Sequence, residues 1–138
     1  MAKIEVSEEY GASADAVWQH IADFGGLTDW MPGVESCEVE GEGLGAVRSV
    51  VLGPMTIKER LESFDAAARR LSYSIVEGPL PAENYLATIV VSEQGDGCRV
   101  DWSATFDLAE GVDEAAIGPA VAGGYSGALA KLKTKLEG

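Results

Sequence analysis

The chain has 138 residues, of which 46% are hydrophobic and 24% are charged, and these values are typical of a single globular domain over residues 1–138. Its formal net charge of -13 would repel a phosphate backbone, so we expect no nucleic-acid partner. No stretch approaches the roughly 20 apolar residues of a membrane helix, and the first residues lack the apolar core of a signal peptide, so we expect a cytoplasmic protein. Two cysteines and one histidine offer no metal-ligand spacing of the Cys/His kind.

The first predicted elements are a strand and two short helices. Residues 3–10 alternate between polar and apolar side chains, as in a strand. Ser13 is a suitable N-cap for a helix whose apolar positions recur as far as Phe24, where Gly25-Gly26 ends it. A second helical turn is predicted over residues 27–31.

Six further strands follow, each bounded by turn signals rich in glycine, proline or acidic residues. They are predicted at residues 34–40, 46–52, 55–64, 70–76, 85–92 and 99–108. Neighbours joined by such short turns run antiparallel.

The last segment, from about residue 113 to residue 137, is predicted to be one long amphipathic helix. Its middle holds Gly118, Gly123, Gly124 and Gly127, each of which weakens a helix by up to about 1 kcal/mol relative to alanine. Such small residues allow close packing or leave empty volume beneath the helix, and their clustering favours empty volume. An antiparallel sheet with one apolar face needs a cover, and only this helix is long enough to provide it.

The predicted fold class is therefore α+β. We expect a curved antiparallel sheet of about seven strands, wrapped around a long C-terminal helix, with two short helices after the first strand.

Two charged residues fall where strands should bury hydrocarbon. Glu59 alternates in phase with Ile57 and Leu61, and Arg48 turns inward if Val50 does. Because an unpaired charge is costly in an apolar medium, three outcomes are open: a structural ion pair, a solvated cavity, or a site that receives a polar group of a ligand. Arg48 beside Glu59 would keep the carboxylate ionised, whereas isolation in an apolar pocket would suit proton transfer.

Several aromatic and small residues are in phase with the inward faces of the strands or of the long helix. Core packing is the commoner explanation for such aromatics, but a buried tyrosine hydroxyl still needs a partner. The predicted ligand-binding set is Trp30, Arg48, Val50, Ile57, Glu59, Leu61, Tyr73, Tyr85, Ala87, Trp102 and Tyr125.

The order of elements and five short motifs resemble one protein family. The motifs are GAVRSV at 45–50, ERLESFD at 59–65, RRLSY at 69–73, NY at 84–85 and WSATF at 102–106. Together they resemble the polyketide cyclase/dehydrase-like branch of the START-like (SRPBCC) superfamily, and they are similar to the plant abscisic-acid receptors and the birch-pollen-allergen proteins.

This resemblance, which spans residues 4–136, implies a helix-grip fold that encloses a cavity for an apolar or amphipathic small molecule. It also implies that Glu59 lies in that cavity and that the loops at residues 53–54 and 78–81 guard its mouth. The first loop is shorter than the gate of the receptors, and the second lacks their basic latch residue. Hormone-gated binding of a phosphatase is therefore not implied.

Three functional hypotheses follow. The first is a protein that binds a small hydrophobic molecule, with Arg48, Glu59 and Tyr85 orienting its polar group. The second is an enzyme of the cyclase, dehydratase or isomerase kind, with Glu59 as general acid or base and Arg48 or a tyrosine stabilising an enolate. The third is an interaction module with a vestigial cavity. No cofactor motif is present, and the oligomeric state is left open.

Overall fold

The computed structural model describes residues 2–79 and 81–137. Within these residues, seven strands, two α-helices and one 3-10 turn follow one another. They are β1 (Ala2–Tyr10), α1 (Ala14–Ala22), the 3-10 turn (Leu27–Asp29), β2 (Val34–Glu40), β3 (Val47–Leu52), β4 (Met55–Asp65), β5 (Arg70–Glu77), β6 (Ala82–Gln94), β7 (Gly97–Leu108) and α2 (Glu114–Glu137).

All seven strands form one antiparallel sheet in the order β1-β7-β6-β5-β4-β3-β2. Strands β2 to β7 pair with their neighbours in sequence because their connecting turns are short. The chain between β1 and β2 contains α1 and the 3-10 turn, and these two strands lie at opposite edges of the sheet.

Helix α2 covers the concave face of the sheet with the buried residues of one of its faces. These residues are Ile117, Tyr125, Ala128, Leu129 and Leu132. The Tyr10 hydroxyl donates a hydrogen bond of 2.7 Å to the Leu129 carbonyl, and this bond joins α2 to the edge strand β1. The predicted helix-grip fold is confirmed. Within residues 2–79 and 81–137, no helix is long and apolar enough to cross a membrane.

Helix α1 begins where the sequence predicts, because the Ser13 hydroxyl accepts a hydrogen bond of 3.2 Å from the Ala16 amide. It ends earlier than predicted, at Ala22. Phe24 therefore lies outside the helix, and its carbonyl is free to accept a bond from another element.

Strand β6 is longer than predicted and reaches Gln94, because its pairing with β7 continues to a tight turn at Gly95-Asp96. Gly95 has a φ of +58°, a conformation that glycine adopts without steric cost. At its other end, β6 has a register shift between Glu83 and Leu86. Such an irregularity interrupts the alternation from which a strand is recognised in sequence.

Candidate functional site

A pocket of about 430 Å³ lies between the concave face of the sheet and α2, and we call it the central pocket. Strands β3 to β7 form its walls, the N-terminal half of α2 forms its roof, and the 3-10 turn and the segment before β6 close its sides. It is lined by Leu27, Met31, Pro32, Arg48, Val50, Leu52, Met55, Ile57, Glu59, Tyr73, Ile75, Pro79, Pro81, Tyr85, Trp102, Ala120, Val121, Gly124 and Tyr125.

The two inward charges form an ion pair at the wall of this pocket. Arg48 of β3 and Glu59 of β4 are directly opposite in the antiparallel register, so the backbone itself brings them together. The distance from Arg48 Nε to Glu59 Oε1 is 2.7 Å, and the two side chains are 4% and 13% exposed. The pair is therefore largely withdrawn from bulk water. Charges in such buried positions are screened much less than exposed ones.

Arg48 makes three further contacts that hold its guanidinium group in place. One terminal nitrogen, Nη1, donates a hydrogen bond of 3.1 Å to the Phe24 carbonyl. The guanidinium carbon also lies 4.1 Å from the centre of the Phe24 ring and 4.8 Å from the centre of the Tyr73 ring. Cation–π contacts of this kind strengthen when water is excluded.

Glu59 makes fewer polar contacts than Arg48. Its Oε1 atom accepts from Arg48, whereas Oε2 has no hydrogen-bond partner among residues 2–79 and 81–137. Since Glu59 lines the central pocket, one carboxylate oxygen remains available to a donor group inside it.

A cluster of aromatic side chains forms the wall next to the ion pair. The rings of Trp102 and Tyr125 stack with their centres 4.0 Å apart and their planes 9° apart. Trp102 Nε1 donates a hydrogen bond of 3.2 Å to the Tyr73 hydroxyl. The hydroxyls of Tyr85 and Tyr125 are hydrogen-bonded to each other. The pocket therefore combines aromatic side chains with phenolic hydroxyls that are hydrogen-bonded within the cluster.

Burial controls the charge state of these tyrosines. It raises the pKa of the Tyr73 hydroxyl and that of the Tyr125 hydroxyl, and the carboxylate of Glu59 raises both further. Both side chains are therefore neutral at physiological pH. A neutral phenol can donate or accept one hydrogen bond, which suits a polar group of either kind on a ligand.

Eight of the eleven predicted ligand-binding residues line the central pocket: Arg48, Val50, Ile57, Glu59, Tyr73, Tyr85, Trp102 and Tyr125. The other three lie elsewhere. Trp30 is buried beside Trp102, with their ring centres 5.7 Å apart. Ala87 is buried in the sheet between Tyr73 and Ala104.

Leu61 is the third residue outside the central pocket. It lies two residues beyond Glu59 on β4, and it lines a separate groove together with Phe24 and Phe64. It shares the inward face of β4, as predicted, but β4 lines the central pocket only through its first half, from Met55 to Glu59.

The sequence predictions did not include several residues that line the pocket. Ile75 could have been found because it shares a face with Tyr73, and Val121 because it lies one helical turn before Tyr125. Met31 and Pro32 lie outside regular strands and helices, where periodicity carries no information.

The two loops predicted to guard the mouth contribute differently. Pro79 and Pro81 line the pocket, while Leu80 lies outside the described residues. At the other loop the lining comes from the flanking residues Leu52 and Met55, not from Gly53-Pro54 itself.

Metal ligation is not supported by the side chains that the structure describes. Over residues 2–79 and 81–137, no group of three or more histidine, cysteine, aspartate or glutamate residues could hold a metal ion. Cys37 and Cys98 are free thiols, and burial raises the pKa of each.

Comparison with known structures identifies several similar proteins. The protein XoxI from Bacillus cereus is 36% identical, with a TM-score of 0.90 and coverage of 98% of this chain and 95% of that one. Norcoclaurine synthase from Thalictrum flavum, in complex with dopamine and hydroxybenzaldehyde, is 27% identical, with a TM-score of 0.79 and coverage of 98% and 85%. Ara h 8.0201 is 18% identical, with a TM-score of 0.82 and coverage of 97% and 96%, and this likeness shows the fold alone.

No curated protein matches this chain. A family model described as polyketide cyclase/dehydrase and lipid transport matches residues 1–137. Since this match covers nearly the whole chain and agrees with the helix-grip architecture, the chain belongs to the polyketide cyclase/dehydrase and lipid transport family.

Proposed function

We propose that the protein binds a small hydrophobic or amphipathic molecule in the central pocket, and that the best-matched ligand has an aromatic ring and one polar group. The observation that carries this proposal is the position of one ion pair and several phenolic hydroxyls on the wall of an otherwise apolar pocket. Apolar surface supplies most of the affinity in such sites, while a few polar groups set the orientation of the ligand.

The size of the pocket supports a small ligand. A volume of about 430 Å³ lies within the range of about 300–1,000 Å³ that is usual for small-molecule sites. The aromatic side chains of Tyr73, Tyr85, Trp102 and Tyr125 all line the pocket, and aromatic pairs pack more favourably than their buried area alone accounts for. Norcoclaurine synthase, which is 27% identical, was solved with the aromatic molecules dopamine and hydroxybenzaldehyde.

The ion pair supports a polar group on the ligand. A buried pair that served stability alone could be replaced by packed hydrophobic residues at little cost in free energy. Here Arg48 is held by several contacts, and it in turn orients Glu59, whose second oxygen is open to a donor. A phenol or a similar donor placed at Glu59 would therefore make a charge-assisted hydrogen bond.

Two measurements test this proposal. Native mass spectrometry of the freshly purified protein detects a small molecule that remains bound. An NMR titration with para-hydroxybenzaldehyde or para-cresol should then give saturable shifts at the Gly124 amide, which lines the pocket, and none at Gly43 in the distant β2–β3 turn. Shifts that do not saturate, or that spread evenly over the surface, would contradict the proposal.

A second candidate function is cofactor-independent proton transfer by Glu59, as in a cyclase, dehydratase or isomerase. It is favoured by the unpartnered Oε2 atom of Glu59, which is free to accept a proton from a carbon next to a carbonyl group. If this function is correct, a β-keto substrate is turned over by the wild type, and Glu59→Gln abolishes turnover while the substrate still binds. Equal turnover by both proteins would exclude Glu59 as the base.

A further inference from the structure

Two non-glycine residues in the described part of the chain have a positive φ, Arg69 at +51° and Asn84 at +54°. Residues other than glycine seldom adopt this left-handed conformation, because their Cβ atom then crowds the backbone, although asparagine tolerates it better than most. Arg69 lies in the turn that precedes β5, where such a conformation is common. Asn84 instead lies within strand β6, where extended backbone is the rule.

Asn84 forms a β-bulge in the pairing of β6 with β7. The register between these strands shifts by one residue after Glu83, so Asn84 and Tyr85 of β6 face a single residue of β7, Phe106. Bulges of this kind, with one residue in the left-handed conformation, redirect side chains and are frequent beside functional sites. The side-chain amide of Asn84 donates a hydrogen bond of 3.0 Å to Oδ2 of Asp107, which fastens the bulge to β7.

Tyr85 directly follows Asn84 and has a defined place in the wall of the central pocket. Its ring stacks on that of Phe106, with the ring centres 5.5 Å apart and the planes 21° apart. Its hydroxyl is hydrogen-bonded to that of Tyr125 on α2. Pro81, three residues before Asn84, lines the pocket as well. The bulge therefore lies between two segments of the pocket wall.

The start of β6 is held by fewer strand neighbours than its centre. The pairing of β6 with β5 spans residues 86–90, whereas residues 82 and 83 pair with β7 alone. Strain imposed on Asn84 would therefore be relieved by a local change in the bulge and not through the centre of the sheet. Because Tyr85 is the adjacent residue, such a change displaces its side chain in the pocket.

We propose that Asn84 is a positioning residue of the central pocket, whose left-handed backbone conformation produces the bulge that sets the Tyr85 side chain against a bound molecule. The effect on affinity rests on the proposed binding function. The effect on Tyr85 itself is measurable without any ligand, so the two can fail separately.

A comparison of glycine with valine at one position isolates the backbone conformation. Asn84→Gly and Asn84→Val both lose the bond to Asp107, but glycine adopts a positive φ without steric cost and the β-branched valine does not. Arg69→Gly and Arg69→Val are the matched control pair. Both lose the ion pair with Asp15 and differ in the same way, in a turn that does not line the central pocket.

The position of Tyr85 is measured by NMR of protein with carbon-13-labelled tyrosine rings. The chain has four tyrosines, and the signals of Tyr85 are assigned from their loss in Tyr85→Phe. Because the Tyr85 ring stacks on Phe106, a displacement of either ring changes these chemical shifts. Binding of para-hydroxybenzaldehyde is measured on the same proteins, and urea denaturation gives their stability.

The expected result is specific to one position and one side chain. Asn84→Val should move the Tyr85 signals and weaken binding of the probe about three- to tenfold, the range for one neutral hydrogen bond. Asn84→Gly should keep both the signals and the affinity close to those of the wild type. Arg69→Val should unfold at a lower urea concentration than Arg69→Gly, yet neither should change the Tyr85 signals or the affinity. If Asn84→Val does not fold, Asn84→Ala replaces it, with smaller effects in the same direction.

Several results would contradict the proposal. Tyr85 signals that stay fixed in Asn84→Val, or that move equally in Asn84→Gly, would show that the left-handed conformation does not position Tyr85. Equal loss of affinity in Asn84→Val and Arg69→Val would reveal a general effect of destabilisation. If the Tyr85 signals move as expected but the wild type does not bind the probe at saturating concentration, the proposed function fails for phenolic ligands and the structural role of Asn84 stands.

Discussion

Glu59 of β4 lies directly opposite Arg48 of β3, and the bond between their side chains is 2.7 Å long. Neither residue needs a loop or a terminus to reach the other, because the register of two adjacent strands determines their separation. Phe24, just after α1, completes the arrangement by accepting a bond from Arg48 and covering it with its ring. A charged pair is thus held rigidly at the wall of the central pocket.

The first prediction concerns the stability contributed by this pair. Glu59→Gln should lower the free energy of unfolding by on the order of 3 kcal/mol, because Arg48 would remain buried without its counter-charge. The measurement is urea denaturation at neutral pH. Glu62→Gln is the control, since the pair between Glu62 and Arg60 is exposed and such pairs contribute about 1 kcal/mol or less.

A double variant separates the charge from the shape of the site. Arg48→Met combined with Glu59→Leu should regain most of the stability that Glu59→Gln loses, because packed apolar side chains replace a buried pair at little cost. The double variant should nevertheless bind phenolic probes more weakly than the wild type, because it lacks the Glu59 carboxylate. Equal stability of Glu59→Gln and Glu62→Gln would contradict the assignment of the first pair as buried and tightly coupled.

The second prediction uses two adjacent glycines of α2. A Cβ atom at either Gly123 or Gly124 would meet nothing within 4 Å, but only Gly124 lines the central pocket. Gly124→Leu should fill the pocket and weaken binding of para-hydroxybenzaldehyde about tenfold, whereas Gly123→Leu should leave binding unchanged. Both variants should gain up to about 1 kcal/mol in stability from improved helix propensity, as measured by urea denaturation.

This pair of variants also tests the location of binding. Since both changes add the same side chain to the same helix, a difference in affinity reports on the pocket and not on the helix. Equal affinity in isothermal titration calorimetry would place ligand binding outside the central pocket.

The third prediction concerns the alkaline limit of stability. Burial, followed by the nearby charge of Glu8, raises the pKa of Tyr10, whose hydroxyl donates to the Leu129 carbonyl. Because the pKa of Tyr10 is higher in the folded state, its contribution to stability is complete below the pKa of the unfolded chain, near 10. This contribution is lost as the pH rises through the pKa of the folded state. Tyr10→Phe should therefore cost about 1 kcal/mol at neutral pH and should show a smaller fall in stability above pH 10.

Urea denaturation between pH 7 and pH 11 measures this difference. The fall should be reduced and not abolished in Tyr10→Phe, because burial also raises the pKa of Tyr73 and that of Tyr125. Parallel curves for the wild type and the variant would show that Tyr10 is not coupled to folding.

The fourth prediction concerns the acid limit. The hydrogen bond from Ser74, followed by that from Arg60, lowers the pKa of Glu62 below its ordinary value of 4.5. A lowered pKa in the folded state contributes stability above the unfolded value, and this stability is lost as the pH falls through the folded value. Ser74→Ala should therefore flatten the loss of stability below about pH 4.5.

The check is chemical denaturation of the wild type, Ser74→Ala and Glu62→Gln over this acid range. Glu62→Gln should give the shallowest curve, because it removes the titrating carboxyl group. Ser74→Ala should lie between it and the wild type, because the bond from Arg60 to Glu62 remains. A curve for Ser74→Ala as steep as that of the wild type would mean that the serine does not set the pKa of Glu62.

Local patterns were enough to predict most of the fold. The alternation of apolar residues, the glycine turns and the serine N-cap predicted the seven strands and the helices in their correct order, with differences of a few residues at their ends. The same alternation placed Glu59 on an inward face, since side-chain direction along a strand depends only on the backbone. These features are local, so the sequence alone determined them.

The composition of the pocket was decided by the tertiary structure. Tyr73, Leu61 and Ala87 are all inward-facing and buried, yet only Tyr73 lines the central pocket. Phe24 contacts Arg48 because α1 ends at Ala22, two residues before Phe24. Trp30 packs against Trp102 because the 3-10 turn ends at Asp29, one residue before Trp30. Periodicity specifies which face a side chain occupies, whereas the depth of that position and the groups above it depend on how α2 and the loops pack across the sheet.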